Sequence, residues 1–124
     1  MHDSKWLIVS GLVMLLVSQP AKACRELEEA RLRLEVAEEN LANVETTRTP
    51  GGGPYKPKRV ECGSTGCQIF EEAREAILYS PEHPDANPAG YVRIPALRSA
   101  GLQQQIKKLE RAYEEAKLAC YQPR

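Results

Sequence analysis

The chain has 124 residues, and its 17 Lys and Arg balance 17 Asp and Glu, so the formal net charge at pH 7 is zero. This length allows one domain. The balanced charge excludes a global field that would attract nucleic acid or an anionic membrane. Aromatic residues make up 6% of the chain, so we expect a thin core that covalent cross-links would help to stabilise.

The first 23 residues have the layout of a secretory signal peptide. A polar start is followed by the apolar run LIVSGLVMLLV at 7–17 and by the small-residue pattern Ala21-Lys22-Ala23, which predicts cleavage after Ala23. The apolar run is too short, at ~1.5 Å per helical residue, for the ~30 Å core of a bilayer. In the alternative interpretation, the leader is not cleaved and stays in the membrane as an anchor.

All four cysteines lie after this predicted leader. An even number of cysteines in a short exported chain predicts disulfides. Cys24 begins the first predicted helix and Cys120 ends the last, so an antiparallel arrangement would bring them together. Cys62 and Cys67 enclose the short loop GSTG. We therefore expect the pairs Cys24–Cys120 and Cys62–Cys67.

Two other interpretations of the cysteines stay open. Lipidation of Cys24 would anchor the protein to a membrane, although Ala21 and Lys22 depart from the residues that a lipobox prefers. A metal site is disfavoured because the C-x4-C spacing is wider than the usual C-x2-C, and His83 is the one histidine after the leader. We expect no metal and no cofactor.

Two heptad patterns predict long helices at about 25–46 and 97–121. In both segments apolar residues recur at alternating steps of three and four, with charged residues between them. The predicted helix-packing seam consists of Leu27, Leu34, Leu41, Leu102, Ile106, Leu109 and Tyr113.

A short third helix is predicted at 66–79, where Thr65 and Gln68 fit a capping box. The stretches 47–64 and 80–95 are rich in Gly and Pro and are predicted to be irregular loops.

Together these elements predict an all-α fold in one small domain, residues 24–124. It is a disulfide-stapled antiparallel helical hairpin of two long heptad helices, with the short third helix in a long irregular connection. The seams also allow a homodimer that pairs through the same apolar residues.

No catalytic residue is predicted. His83 lies in a loop without a neighbouring nucleophile, and adjacent acids such as Glu28 and Glu29 do not face each other on a helix.

The strongest surface candidate is the extended segment PYKPKR at 54–59. Tyr55 would serve as an aromatic anchor, and Lys56, Lys58 and Arg59 would meet an acidic partner. A plain solvated loop is the alternative interpretation of this segment.

These observations predict a small exported protein that is not an enzyme and that binds another protein. It would be periplasmic or secreted after cleavage near Ala23, as an accessory, inhibitor, immunity or secretion-apparatus component.

The alternative is a membrane-anchored coiled-coil envelope or lysis component. The apolar N-terminal segment, the charged coiled coil and the cysteine near the C-terminus are similar in layout to the inner-membrane subunit of phage spanins. This resemblance implies anchoring by an uncleaved leader or by a lipid on Cys24.

Overall fold

The computed structural model describes the backbone of residues 2–122 and the side chains of residues 21–122. Two helices, α1 (His2–Ala42) and α2 (Ser99–Cys120), are separated in sequence by four short strands. The strands are β1 (Lys58–Gly63), β2 (Gly66–Glu71), β3 (Glu75–Tyr79) and β4 (Tyr91–Pro95). The prediction of an all-α fold is therefore wrong, because helices and antiparallel strands both contribute to this domain.

Most of the predicted signal peptide, 1–23, lies outside the residues with described side chains, so cleavage after Ala23 is not tested. The sulfur of Cys24 is bonded to Cys120 and therefore does not carry the thioether that lipidation would form. Where side chains are described, no helix combines the length and the apolar character needed to cross a membrane.

The segment 66–79, predicted to be a helix, instead forms β2 and β3. Strands β1 and β2 make an antiparallel hairpin whose register places Cys62 opposite Cys67. At the turn Gly66 has a φ of 122°, a conformation that residues with a side chain rarely adopt. A two-residue turn at Ser64 and Thr65 folds the start of this segment back on residues 58–63, and that strand pairing replaces the predicted helix.

Strands β3 and β4 form a second, separate two-stranded antiparallel sheet. The register runs from Glu75 opposite Pro95 to Tyr79 opposite Tyr91. The predicted loop at 80–95 therefore ends early. Its last residues become a strand because alternate side chains can be buried, and Val92 is only 1% exposed.

The second half of α1 and α2 pack against each other in antiparallel directions, because Cys24, near the middle of α1, is bonded to Cys120 at the end of α2, while Val36 and Ala37 further along α1 lie beside Leu102 near the start of α2. Of the predicted seam residues, Leu27 and Leu102 are buried and the other five are half-buried. The two helices use these faces on each other within one chain, and the homodimer stays a prediction.

The prediction of a coiled-coil hairpin completed by a third helix is also wrong. Strand β1, not a helix, packs on α1. This packing buries Val36 and Asn40, which lie outside the predicted seam. The helix pair is thus one part of a mixed α+β domain.

Candidate interaction surface

Asn40 joins the end of α1 to the segment that enters β1. Its side chain is 6% exposed. Its oxygen accepts hydrogen bonds from the Tyr55 hydroxyl at 2.7 Å and the Lys58 backbone N–H at 3.0 Å, and its amide donates to the Lys58 carbonyl at 2.9 Å. A buried polar group is tolerated when its hydrogen bonds are made. These hydrogen bonds therefore fix the start of β1 against α1.

The residues predicted to bind a partner do not form one exposed basic surface in the structure. Tyr55 is 9% exposed, so its ring is not available as a surface anchor. Lys58 pairs with Glu39 at 2.7 Å, while the Lys56 side chain is exposed. A partner role for Lys56, Lys58 and Arg59 stays a prediction.

Arg59 is held by acids and by an aromatic ring on its own hairpin. Its guanidinium pairs with Glu72 at 2.7 Å and with Glu61. It also lies over the ring of Phe70, 4.9 Å from the ring centroid. These contacts within the chain neutralise the positive charge of Arg59, which the sequence predicts would meet an acidic partner.

A second polar cluster connects the two long loops. The Asp85 carboxylate accepts hydrogen bonds from the Thr47 hydroxyl and from Nε of Arg48, each at 2.5 Å. These two bonds, Arg48 first, lower the pKa of Asp85. The Asp85 backbone N–H donates to Nδ1 of His83 at 2.9 Å. His83 therefore orders a turn, and the cluster fixes the loop that leads into β4.

The outer face of the β3–β4 sheet is apolar and exposed. Ile77 is 72% exposed, Tyr79 64% and Tyr91 46%. The two tyrosine rings meet edge to face, with centroids 5.2 Å apart. Because side chains alternate along a strand, the neighbouring residue Val92 faces the interior. We call Ile77, Tyr79 and Tyr91 the β3–β4 face.

This face has a polar border and open edges. Arg93 pairs with Glu75 at 3.1 Å, on the same side of the sheet as Ile77. Each sheet has only two strands, so each strand has one edge without a ladder partner in the described chain. Exposed apolar patches with polar borders are typical of protein–protein contacts.

All four cysteines are paired. The structure joins Cys24 to Cys120, with Cα atoms 4.6 Å apart, and Cys62 to Cys67, with Cα atoms 4.0 Å apart. Glu29 lies beside the second pair. Its carboxylate and the two sulfur atoms of Cys62 and Cys67 lie within 4.8 Å of one another.

Sequence reasoning missed the residues that shape this surface. The β3–β4 face had a signal, because EAILY and YVRIP are rich in β-branched and aromatic residues, which favour strands. The side-chain hydrogen bonds of Asn40 and Asp85 had none, since the partners of the Asn40 side chain and of the Asp85 carboxylate lie 15 or more positions away in the sequence.

No protein-family model matches the chain. The flagellar basal-body rod protein FlgC of Salmonella typhimurium is 31% identical to it over 94 residues, which cover 66% of this chain and 70% of that protein. The chain belongs to the FlgC family of flagellar basal-body rod proteins. FlgC of Borreliella burgdorferi is 28% identical over 117 residues, covering 71% of this chain and 77% of that protein. FlgC of Borrelia hermsii is 51% identical over 47 residues, covering 38% and 80%.

Membership of the FlgC family corrects the predicted function and location. These relatives are rod proteins, which are structural components of the flagellum. The predictions of an exported accessory protein and of a spanin-like lysis component are therefore wrong. The prediction of a periplasmic or secreted location is wrong as well, because the relatives are flagellar basal-body rod proteins.

Proposed function

We propose that this chain is a structural subunit of the flagellar basal-body rod, that it has no enzymatic activity, and that residues 24–124 form its single domain. Its partners are other rod-protein subunits, which it contacts through the β3–β4 face. Two findings support this proposal. The chain belongs to the FlgC family, and Ile77, Tyr79 and Tyr91 are exposed on the outer face of the hydrogen-bonded β3–β4 sheet.

Keeping this apolar face in water is unfavourable in free energy. Burial of apolar surface stabilises by roughly 25 cal/mol per Å², and tyrosine is among the residues that most often dominate interface energies. The face is already fixed before any partner binds, since Tyr79 and Tyr91 lie on paired strands and contact each other. A fixed face loses little conformational entropy on binding.

The test compares two exposed apolar residues at different places in the fold. Ile77→Asp places a charge in the β3–β4 face, and Leu118→Asp places one on α2, where Leu118 is 73% exposed. The full chain is mixed with purified rod proteins of the same basal body, and complex formation is followed by analytical ultracentrifugation. Motility of a strain that carries each variant gives a second readout.

We expect Ile77→Asp to lose complex formation and motility, and Leu118→Asp to keep both. Wild-type assembly by Ile77→Asp would contradict the role of the β3–β4 face. Failure of the unchanged chain to bind any rod protein would contradict the proposed function itself.

A further inference from the structure

We propose that the Cys62–Cys67 pair, once reduced, forms a zinc site together with Glu29. The two thiolates and the carboxylate would supply three ligands and leave the fourth position to water. This site does not depend on the proposed rod function.

The hairpin holds the two sulfur atoms in place without the covalent bond between them. Cys62 and Cys67 are directly opposite in the β1–β2 register, at the last pair but one before the turn. Side chains at opposite positions of an antiparallel pair point to the same face and lie close together. Strand pairing from Lys58 to Gly63 would therefore keep both thiolates on one side of the hairpin after reduction.

Glu29 supplies a ligand from a different element. It lies on α1 and is half-buried, whereas its neighbour Glu28 is exposed. Glu28 and Glu35 both pair with Arg31, but among the described residues Glu29 forms no ion pair. Arg25 and Arg31 line the same cavity as Glu29 and Cys67, but neither forms an ion pair with Glu29, so its carboxylate is open to a cation held beside the two sulfur atoms.

The distances fit one ion. Zinc binds thiolate sulfur at ~2.3 Å and carboxylate oxygen at ~2.0–2.2 Å, so two ligands of the same ion lie at most about 4.6 Å apart. The three ligand atoms lie within 4.8 Å of one another, so small side-chain shifts would complete the site. Two thiolates favour zinc over magnesium or calcium, which prefer oxygen ligands.

The redox step needs a reductant, for which a dithiol is sufficient. The dithiol transfers two electrons and two protons, the Cys62–Cys67 bond breaks, and the dithiol becomes a cyclic disulfide. Zinc binding then displaces the two thiol protons to solvent. The bound ion would join α1 to the β1–β2 hairpin through Glu29, a connection that the disulfide within the hairpin does not make.

The test uses the full chain, reduced with a phosphine that is removed under anaerobic conditions. Reduction by the phosphine consumes one water and yields two thiols and the phosphine oxide. Cobalt(II) is titrated first, because thiolate coordination gives charge-transfer absorption and tetrahedral ligand-field bands. Zinc affinity is then measured by competition with a chromophoric chelator. Glu29→Gln is compared with Glu28→Gln as the matched control, and Cys62→Ser removes one sulfur ligand.

We expect the reduced chain to bind zinc through Cys62 and Cys67, and the disulfide-bonded chain not to bind. Glu29→Gln should weaken zinc binding by about tenfold or more, since even outer-shell partners contribute ~10–100-fold, while Glu28→Gln should bind as the unchanged chain does. Reduction also frees the thiols of Cys24 and Cys120. The titration is therefore repeated on a double variant that carries both Cys24→Ser and Cys120→Ser. Equal affinity of the Glu29→Gln and Glu28→Gln chains, or no binding by the reduced chain, would overturn the proposal.

Discussion

The Tyr55 hydroxyl donates a 2.7 Å hydrogen bond to Oδ1 of Asn40, and this bond connects the end of α1 to the entry of β1 inside the fold. Asn40→Ala would leave both the hydroxyl and the Lys58 backbone without their partner. We expect it to lower the free energy of unfolding by ~1–3 kcal/mol. Urea denaturation measures this loss, with the exposed Gln103→Ala as control. A midpoint equal to that of the control would contradict the role of Asn40.

The same tyrosine predicts a loss of stability at high pH. Burial raises the pKa of Tyr55 to about 12, with smaller contributions from Glu39 and Glu71. The unfolded chain therefore loses this proton first, near its ordinary pKa of about 10. The free energy of unfolding should fall between pH 10 and 12, by up to about 2–3 kcal/mol from this group. Unfolding free energies over this range test it, and Tyr55→Phe should show a shallower decline.

The Asp85 cluster predicts the opposite behaviour in acid. Arg48 and Thr47 lower the pKa of Asp85 in the folded chain, so its contribution to stability is present above the unfolded pKa and is lost as pH falls through the folded value. Asp85→Asn should reduce the acid sensitivity of the 80–90 loop. Hydrogen exchange of the loop amides at acidic and neutral pH measures this, and an unchanged pH dependence in Asp85→Asn would contradict the assignment.

Gly90 allows Tyr79 to lie against the loop. Gly90 has a φ of 92°, and an added Cβ would lie 2.8 Å from Cε1 of Tyr79. Gly90→Ala should therefore lower the thermal unfolding midpoint and displace Tyr79 from the β3–β4 face. Gly101→Ala is the matched control, since Gly101 is in α2 with open space around it. That change should stabilise by roughly 0.5–1 kcal/mol. A higher midpoint for Gly90→Ala would show that the loop adjusts without cost.

The two disulfides should differ in their effect on stability. In the chain-entropy model the bond between Cys24 and Cys120, 96 positions apart, contributes about 4–5 kcal/mol, and the short loop closed by Cys62 and Cys67 about 2 kcal/mol. Paired Cys→Ser variants followed by guanidinium denaturation measure both contributions. A larger loss from the Cys62–Cys67 pair would show that the closed-loop length does not control this stabilisation.

The sequence was most informative about the two long helices, because each heptad pattern lies within one continuous segment. The heptad steps lie within about 25–46 and 97–121, and both segments are helical over most of their length. Segment 66–79 has a capping box, yet its first half pairs with β1 and its second half with β4, where Val92 is buried. No short pattern in the sequence shows that this segment will divide into two strands, one pairing with residues 58–63 and the other with 91–95.

The interaction surface was harder to predict for a related reason. A surface that binds another protein needs neither a catalytic motif nor a metal-ligand spacing. Ile77 and Tyr79 fall in the short helix predicted at 66–79, whereas strand alternation turns both side chains outward. The extended segment PYKPKR predicts an exposed aromatic anchor at Tyr55, but the hydrogen bond to Asn40 holds this residue in the interior.

The Cys24–Cys120 bond makes residues 24–120 a single covalent ring. A protease that cuts once in the loop between β3 and β4 would open the ring without releasing a fragment, because both pieces stay joined through the sulfur atoms and through the packed helices. A subunit damaged in this way would keep its mass, increased only by one water, until a reductant reached the bond.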